Sequence, residues 1–142
     1  MSSPEISTER WTIVLRQLLR KWSEGMVISN FVLVLFMTLF PFNFQLRHNI
    51  SWTDLNNNTN PGDFLVNIPF FIPWGVSLSY FLYRRKMNWL AIASIVLVGS
   101  IALSSLVELL QLFVPSRSST PADIVSNTLG GIFGLVIFYF IR

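Results

Sequence analysis

The chain has 142 residues, of which 52 % are hydrophobic and only 12 % charged, about half the ~25 % charge of a typical soluble domain. With a mean hydropathy of +0.56 it is neither a disordered segment nor an ordinary soluble globule, and its composition implies an integral membrane protein with one small domain. The net charge of +3 does not mark a nucleic-acid binder, because the basic residues sit at the ends of apolar runs. There is no cysteine and a single histidine, His48, which excludes disulfides, cysteine nucleophiles and thiolate or histidine-rich metal sites. No metal or cofactor is implied.

The segment ahead of the first apolar run has the pattern of an amphipathic helix. Trp11, Val14, Leu15, Leu18, Leu19 and Trp22 share one face of a helical wheel, and Arg10, Arg16, Gln17, Arg20, Lys21 and Glu24 take the opposite face. Ser7 or Thr8 can cap its start. A basic helix with two Trp is expected to lie in the inner-leaflet interface, as an anchor for the first span or as a docking helix for a partner. Residues 1–25 are therefore expected to be an interfacial helix and residues 26–142 the membrane domain.

No charge occurs from Gly25 to Leu46, Phe64 to Tyr83, Met87 to Val107 or Ile124 to Ile141, runs of 22, 20, 21 and 18 residues. Each matches the ~17–25 residues that cross the hydrocarbon core as a helix. The third run continues past Glu108 to Val114, so a long or tilted third helix is expected. The first run is too long for a cleaved signal peptide, and Pro41-Phe42-Asn43-Phe44-Gln45 after it lacks a small-residue cleavage site. Between the first two spans lies a polar loop, 47–63, with turn signals at Asn56-Asn57-Asn58 and Asn60-Pro61-Gly62.

Orientation follows from Lys and Arg. Arg10, Arg16, Arg20, Lys21, Arg84, Arg85, Lys86 and Arg142 fall on one side; Arg47 and Arg117 fall on the other. Eight against two places both termini in the cytoplasm and the 45–63 and 115–122 loops outside. The fold class is thus all-α, an integral membrane four-helix bundle of antiparallel spans.

The second and fourth spans open alike. One begins Asp63-Phe-Leu-Val-Asn67 and the other Asp123-Ile-Val-Ser-Asn127, each after a span that ends at a proline, Pro41 or Pro115. This suggests two hairpins related in parallel. The two Asp have a structural reading as helix N-caps, and the two Asn as interhelical hydrogen-bond partners. Glu108 lies seven residues before Pro115, roughly 10 Å inside the helix end at ~1.5 Å per residue. An ionisable group at that depth faces the bundle interior or a water-filled cavity. Ser104, Glu108 and Gln111 make one polar stripe, and Arg117 is the cation within reach of the carboxylates. Ser126, Gly130 and Gly134 form a small-residue ridge suited to close helix packing. Phe70, Phe71 and Trp74 read as lipid-facing or core aromatics.

These positions together resemble the signature of VanZ-like membrane proteins. The match runs Glu108-x2-Gln111-x3-Pro115-x-Arg117-x5-Asp123-x3-Asn127-x2-Gly130-x3-Gly134. Pro41-Phe42-Asn43-Phe44 resembles that family's early Pro-Phe motif, and Asp63-x3-Asn67 followed by Pro73-Trp74-Gly75 its second-span motif. The resemblance covers about residues 26–141. Ser116 departs from it where glycine is expected, and Trp74 where phenylalanine is common. It implies a small protein of the bacterial cytoplasmic membrane, in a family whose named member is linked with teicoplanin resistance.

Three functions and one bland alternative fit these residues. In a binding module, Asp63, Asn67, Glu108, Gln111, Arg117, Asp123 and Asn127 converge on the headgroup of a lipid-linked or cell-envelope molecule, with Arg117 offering bidentate contact to phosphate or carboxylate. In an enzyme, clustered carboxylates supply an acid and a base, although no activated nucleophile is evident. In a transporter, they form part of a relay, although the inner half of the spans is nearly free of polar groups. In a structural subunit, the cluster only locks the helices together. The binding module is favoured, with the lipid bilayer as the one assured partner and no nucleic acid. The topology has a direct test: alkaline phosphatase fused to either terminus is expected to be inactive, and an active terminal fusion overturns the orientation.

Overall fold

In lipid, a run of some twenty apolar residues satisfies its backbone only as a helix or in a closed barrel, and each uncharged run here becomes a helix. The computed structural model describes residues 5–46, 61–117 and 119–142. Within its helices the side chains at 5–12, 15–16, 18–20 and 61–63 lie outside the described set, as does the loop at 47–60 with His48. Four helices follow one another: α1 Glu5–Leu39, α2 Pro61–Arg84, α3 Trp89–Gln111 and α4 Pro121–Ile141. All four contain a stretch long and apolar enough to cross a membrane, so the protein is a multi-pass membrane protein with an all-α bundle.

The amphipathic segment is helical as expected, but it is not a separate element. α1 runs through 35 residues, about 52 Å at ~1.5 Å per residue, against a hydrocarbon core of ~30 Å. Nothing between the segment and the span interrupts it. Gly25 is the only glycine in the helix, and one glycine weakens a helix by about 1 kcal/mol without breaking it. Arg85, just past the end of α2, pairs with Glu24 at 3.2 Å, so the first five or so turns of α1 precede the level where the bundle begins.

α2 is the hub. It packs on α1, α3 and α4, while the backbones of α1 and α4 do not come close to each other among the described residues. α2 and α4 run parallel and make the closest approach. Gly130 lies against the Ile68 carbonyl, Gly75 against the Gly131 carbonyl, and Gly134 against the backbone of Ile72 and Val76. A methyl group placed on Gly134 would sit 2.8 Å from Gly75 Cα, so the two backbones meet where side chains would otherwise stand. Gly131 turns instead to Ser100 of α3. The small-residue ridge is thus a packing seam, and buried Ser126 extends it.

Beside the seam, Phe71, Trp74 and Leu78 of α2 meet Val34 of α1 and Ile92, Val96, Leu103 and Val107 of α3 in one apolar core. Of the three aromatics marked in the sequence, Phe71 and Trp74 are core, whereas Phe70 is exposed. At the α2–α3 end, Phe138 packs between Tyr80, Tyr83 and Trp89, and the Arg142 guanidinium lies 4.0 Å from the centre of Trp89.

The glycine environments separate seam from surface. Gly134→Ala is expected to lower stability by about 1–3 kcal/mol through overpacking. Gly25→Ala, whose added methyl meets nothing within 4 Å, is expected to raise it by up to about 1 kcal/mol. Thermal unfolding in one detergent checks both, and a neutral Gly134→Ala overturns the seam.

Candidate functional site

An α-helix leaves its last four carbonyls and first four N–H groups without intrahelical partners, and in or near a bilayer each needs one. Two such ends meet beside the α3–α4 connection. The first is the C-terminus of α1. Phe36 and Leu39 carbonyls accept from the backbone N–H groups of Phe40 and Phe42. The rest are served from the end of α3 and from the α3–α4 connection. Gln111 Nε2 donates to the Thr38 carbonyl at 3.0 Å. Arg117 donates through Nε to Phe40 at 3.0 Å and through one Nη to Met37 at 3.4 Å. A cation at this end also complements the helix dipole. Two further bonds tie the segment after α1 to the same connection: Gln45 N to the Phe113 carbonyl at 2.8 Å, and Ser116 Oγ to Asn43 Oδ1 at 3.0 Å.

The second end is the N-terminus of α4. Thr120 is its N-cap, Pro121 follows, and the Thr120 hydroxyl accepts from Asp123 N at 3.3 Å. In a capping box, the side chain three residues on would accept from the N-cap N–H. Here that acceptor comes from another helix: Glu108 Oε2 of α3 takes the Thr120 N–H at 2.9 Å. Asp123 therefore does not cap α4. Its Oδ1 accepts from Asn67 Nδ2 of α2 at 2.7 Å, so the Asn of one repeat binds the Asp of the other. One turn on, Asn127 Nδ2 donates to Ser104 Oγ at 2.9 Å, and Ser104 turns to the Asp123 carbonyl at 3.5 Å.

Between these two capped ends lies a cavity of about 320 Å³. Asn67, Glu108, Gln111, Arg117, Asp123 and Asn127 all line it, with Thr38, Val66, Phe70, Val107 and Ser116. Six of the seven residues selected from the sequence thus surround one space. The seventh, Asp63, has its side chain outside the described residues. Glu108 is 5 % exposed and Asn127 3 %, so these polar groups are held inside the bundle. Among the described residues no three His, Cys, Asp or Glu side chains group as a metal site.

The structure alters three expectations. α3 stops at Gln111, in turns from Phe113 to Leu110 and from Val114 to Gln111, ahead of Pro115, which cannot donate to a continuing helix. Glu108 is therefore in the last turn, about 5 Å from the helix end rather than ~10 Å. The N-cap of α4 is Thr120, three residues before the expected start. Arg117, expected to offer a bidentate contact to a ligand, gives Nε and one Nη to the Phe40 and Met37 carbonyls, which leaves three of its N–H groups for any other partner. Sequence reasoning missed Thr120 and Thr38. Thr120-Pro121 is a helix-start signature and could have been found; Thr38 contributes a backbone carbonyl, which no residue type announces.

Residues 10–142 match a family model described as VanZ/LLP1. No curated protein and no solved structure matches the chain.

The cap on α4 can be tested by itself. Thr120→Val is expected to lower stability by about 1 kcal/mol, with Thr120→Ser near wild type. Glu108→Leu leaves a buried N–H unpaired and is expected to lose about 1–3 kcal/mol, more than Glu108→Gln, whose amide oxygen accepts the same bond. Chemical unfolding in detergent reads all four, and equal stability of the Leu and Gln variants overturns the assignment.

Proposed function

We propose that this chain, which belongs to the VanZ/LLP1 family, is a membrane binding module whose cavity receives the polar headgroup of a lipid-linked or cell-envelope molecule. The observation that carries this reading is the cavity itself: a space of about 320 Å³ bordered by six buried or half-buried polar side chains, Thr38, Asn67, Glu108, Gln111, Asp123 and Asn127, at one end of a bundle whose other buried polar side chains among the described residues are serine and threonine hydroxyls. A pocket with few, well-placed polar groups is the usual form of a small-ligand site. In the orientation proposed from Lys and Arg, both termini are cytoplasmic, the membrane is the bacterial inner membrane, and the cavity faces outward, where envelope precursors are handled.

Binding fits the hydrogen bonds better than acid–base catalysis does. Glu108 Oε2 is engaged by the Thr120 N–H and Asp123 Oδ1 by Asn67, so both carboxylates are fixed by contacts that also hold helices in place. A group that has to gain and release protons at a substrate works against such contacts.

The test uses the full chain in nanodiscs made from a bacterial inner-membrane lipid extract, with retained molecules identified by native mass spectrometry. Wild type is expected to retain a headgroup-bearing molecule that Asn127→Leu, with the fold verified by circular dichroism, retains about tenfold less well, the cost of one buried polar contact. Equal retention by both proteins overturns the proposal.

A further inference from the structure

We infer that the headgroup is selected as a hydrogen-bond donor, with a primary ammonium as its recognised group, and not as a phosphate; this rests on the binding reading above. The argument follows where each donor of the cavity points. Arg117 Nε and one Nη donate to Phe40 and Met37 carbonyls. Gln111 Nε2 donates to the Thr38 carbonyl, Asn67 Nδ2 to Asp123 and Asn127 Nδ2 to Ser104. Gln111 and Asn67 are oriented by partners that only accept, a carbonyl and a carboxylate, and Asn127 by Ser104, whose hydroxyl faces the Asp123 carbonyl at 3.5 Å.

What remains is three N–H groups of Arg117, which is exposed at the rim, and, deeper among the buried and half-buried side chains, a set of acceptors. With the nitrogens of Asn67, Gln111 and Asn127 turned to protein, their amide oxygens form no hydrogen bond among the described residues. They share the space with the Glu108 and Asp123 carboxylates. At the feature that would attract a phosphate, the N-terminus of α4, Thr120 N already donates to Glu108 and Asp123 N to Thr120, and Pro121 has no N–H to offer. The buried Glu108 carboxylate and three amide oxygens lie deeper than the exposed Arg117 guanidinium, two of whose N–H groups go to carbonyls, and this favours a cation that donates in several directions. An ammonium has that geometry and charge; a phosphate offers only acceptors and meets repulsion.

An ammonium of this kind is carried by an aminolipid or by a free amine, and the test separates them. The full chain is placed in phosphatidylcholine nanodiscs holding equal amounts of phosphatidylethanolamine and phosphatidylglycerol, and bound lipid is read by native mass spectrometry. Phosphatidylethanolamine is expected to be retained over phosphatidylglycerol, and Glu108→Gln to reduce that preference about tenfold without changing phosphatidylglycerol retention. Ethanolamine titrated into lipid-free detergent complexes is expected to raise the unfolding temperature if a free amine suffices, and to leave it unchanged if the lipid is required; inorganic phosphate is expected to leave it unchanged in either case. Equal retention of both lipids, preference for phosphatidylglycerol, or stabilisation by phosphate overturns the ammonium inference and leaves the binding reading standing. Retention of no lipid, together with no effect of ethanolamine, overturns the ammonium inference, and the lipid-extract experiment above then decides the binding reading on its own. Phosphatidylethanolamine retention unchanged in Glu108→Gln and in Asn127→Leu assigns the lipid to another surface and overturns the ammonium inference.

Discussion

The bond from the Thr120 N–H to the Glu108 carboxylate is the contact on which the polar end of the bundle depends. A helix start in or near a bilayer exposes N–H groups that no lipid can satisfy. α4 supplies one cap from its own chain, the Thr120 hydroxyl, and takes the other from α3. Because Glu108 does the work that the third residue of α4 would do in a capping box, Asp123 is released to bind Asn67 of α2. One borrowed acceptor thus links α3 to α4 and makes possible the link from α4 to α2.

The opposite requirement at the end of α1 completes the frame. Its free carbonyls are taken by Gln111 and Arg117, the one in the last turn of α3 beside Glu108 and the other in the connection that leads to Thr120. Negative charge at a helix start and positive charge at a helix end each complement the local dipole. The polar residues therefore have structural work before any ligand is considered. The cavity is the space left between two capped helix ends, and its acceptor-rich lining is a consequence of where those caps had to send their donors.

Depth and spacing are set by the glycine seam. Gly75, Gly130 and Gly134 bring the backbones of α2 and α4 together, and that approach lets the short Asn67 side chain reach Asp123. Without side chains in the seam, dispersion between backbones replaces the hydrophobic effect, which has little force between helices in lipid. The apolar core of Phe71, Trp74 and the α3 valines then fills the remaining space between α1, α2 and α3.

The sequence by itself determined the membrane class, the four spans and their alternation, since apolar run length and charge position are properties of the linear chain. It also singled out the cavity residues, because an ionisable or amide group is too costly in an apolar span to lack a partner. Three things waited for the tertiary structure. That α1 continues unbroken from Glu5 to Leu39 depends on the absence of a breaker rather than on amphipathic pattern, which reads the same for a bent or a straight helix. That Glu108 lies in the last turn of α3 depends on where the turn before Pro115 closes. And which nitrogen donates to which oxygen is a matter of neighbouring helices: Arg117 meets carbonyls 77 and 80 residues away in sequence, and no local pattern encodes a partner at that distance.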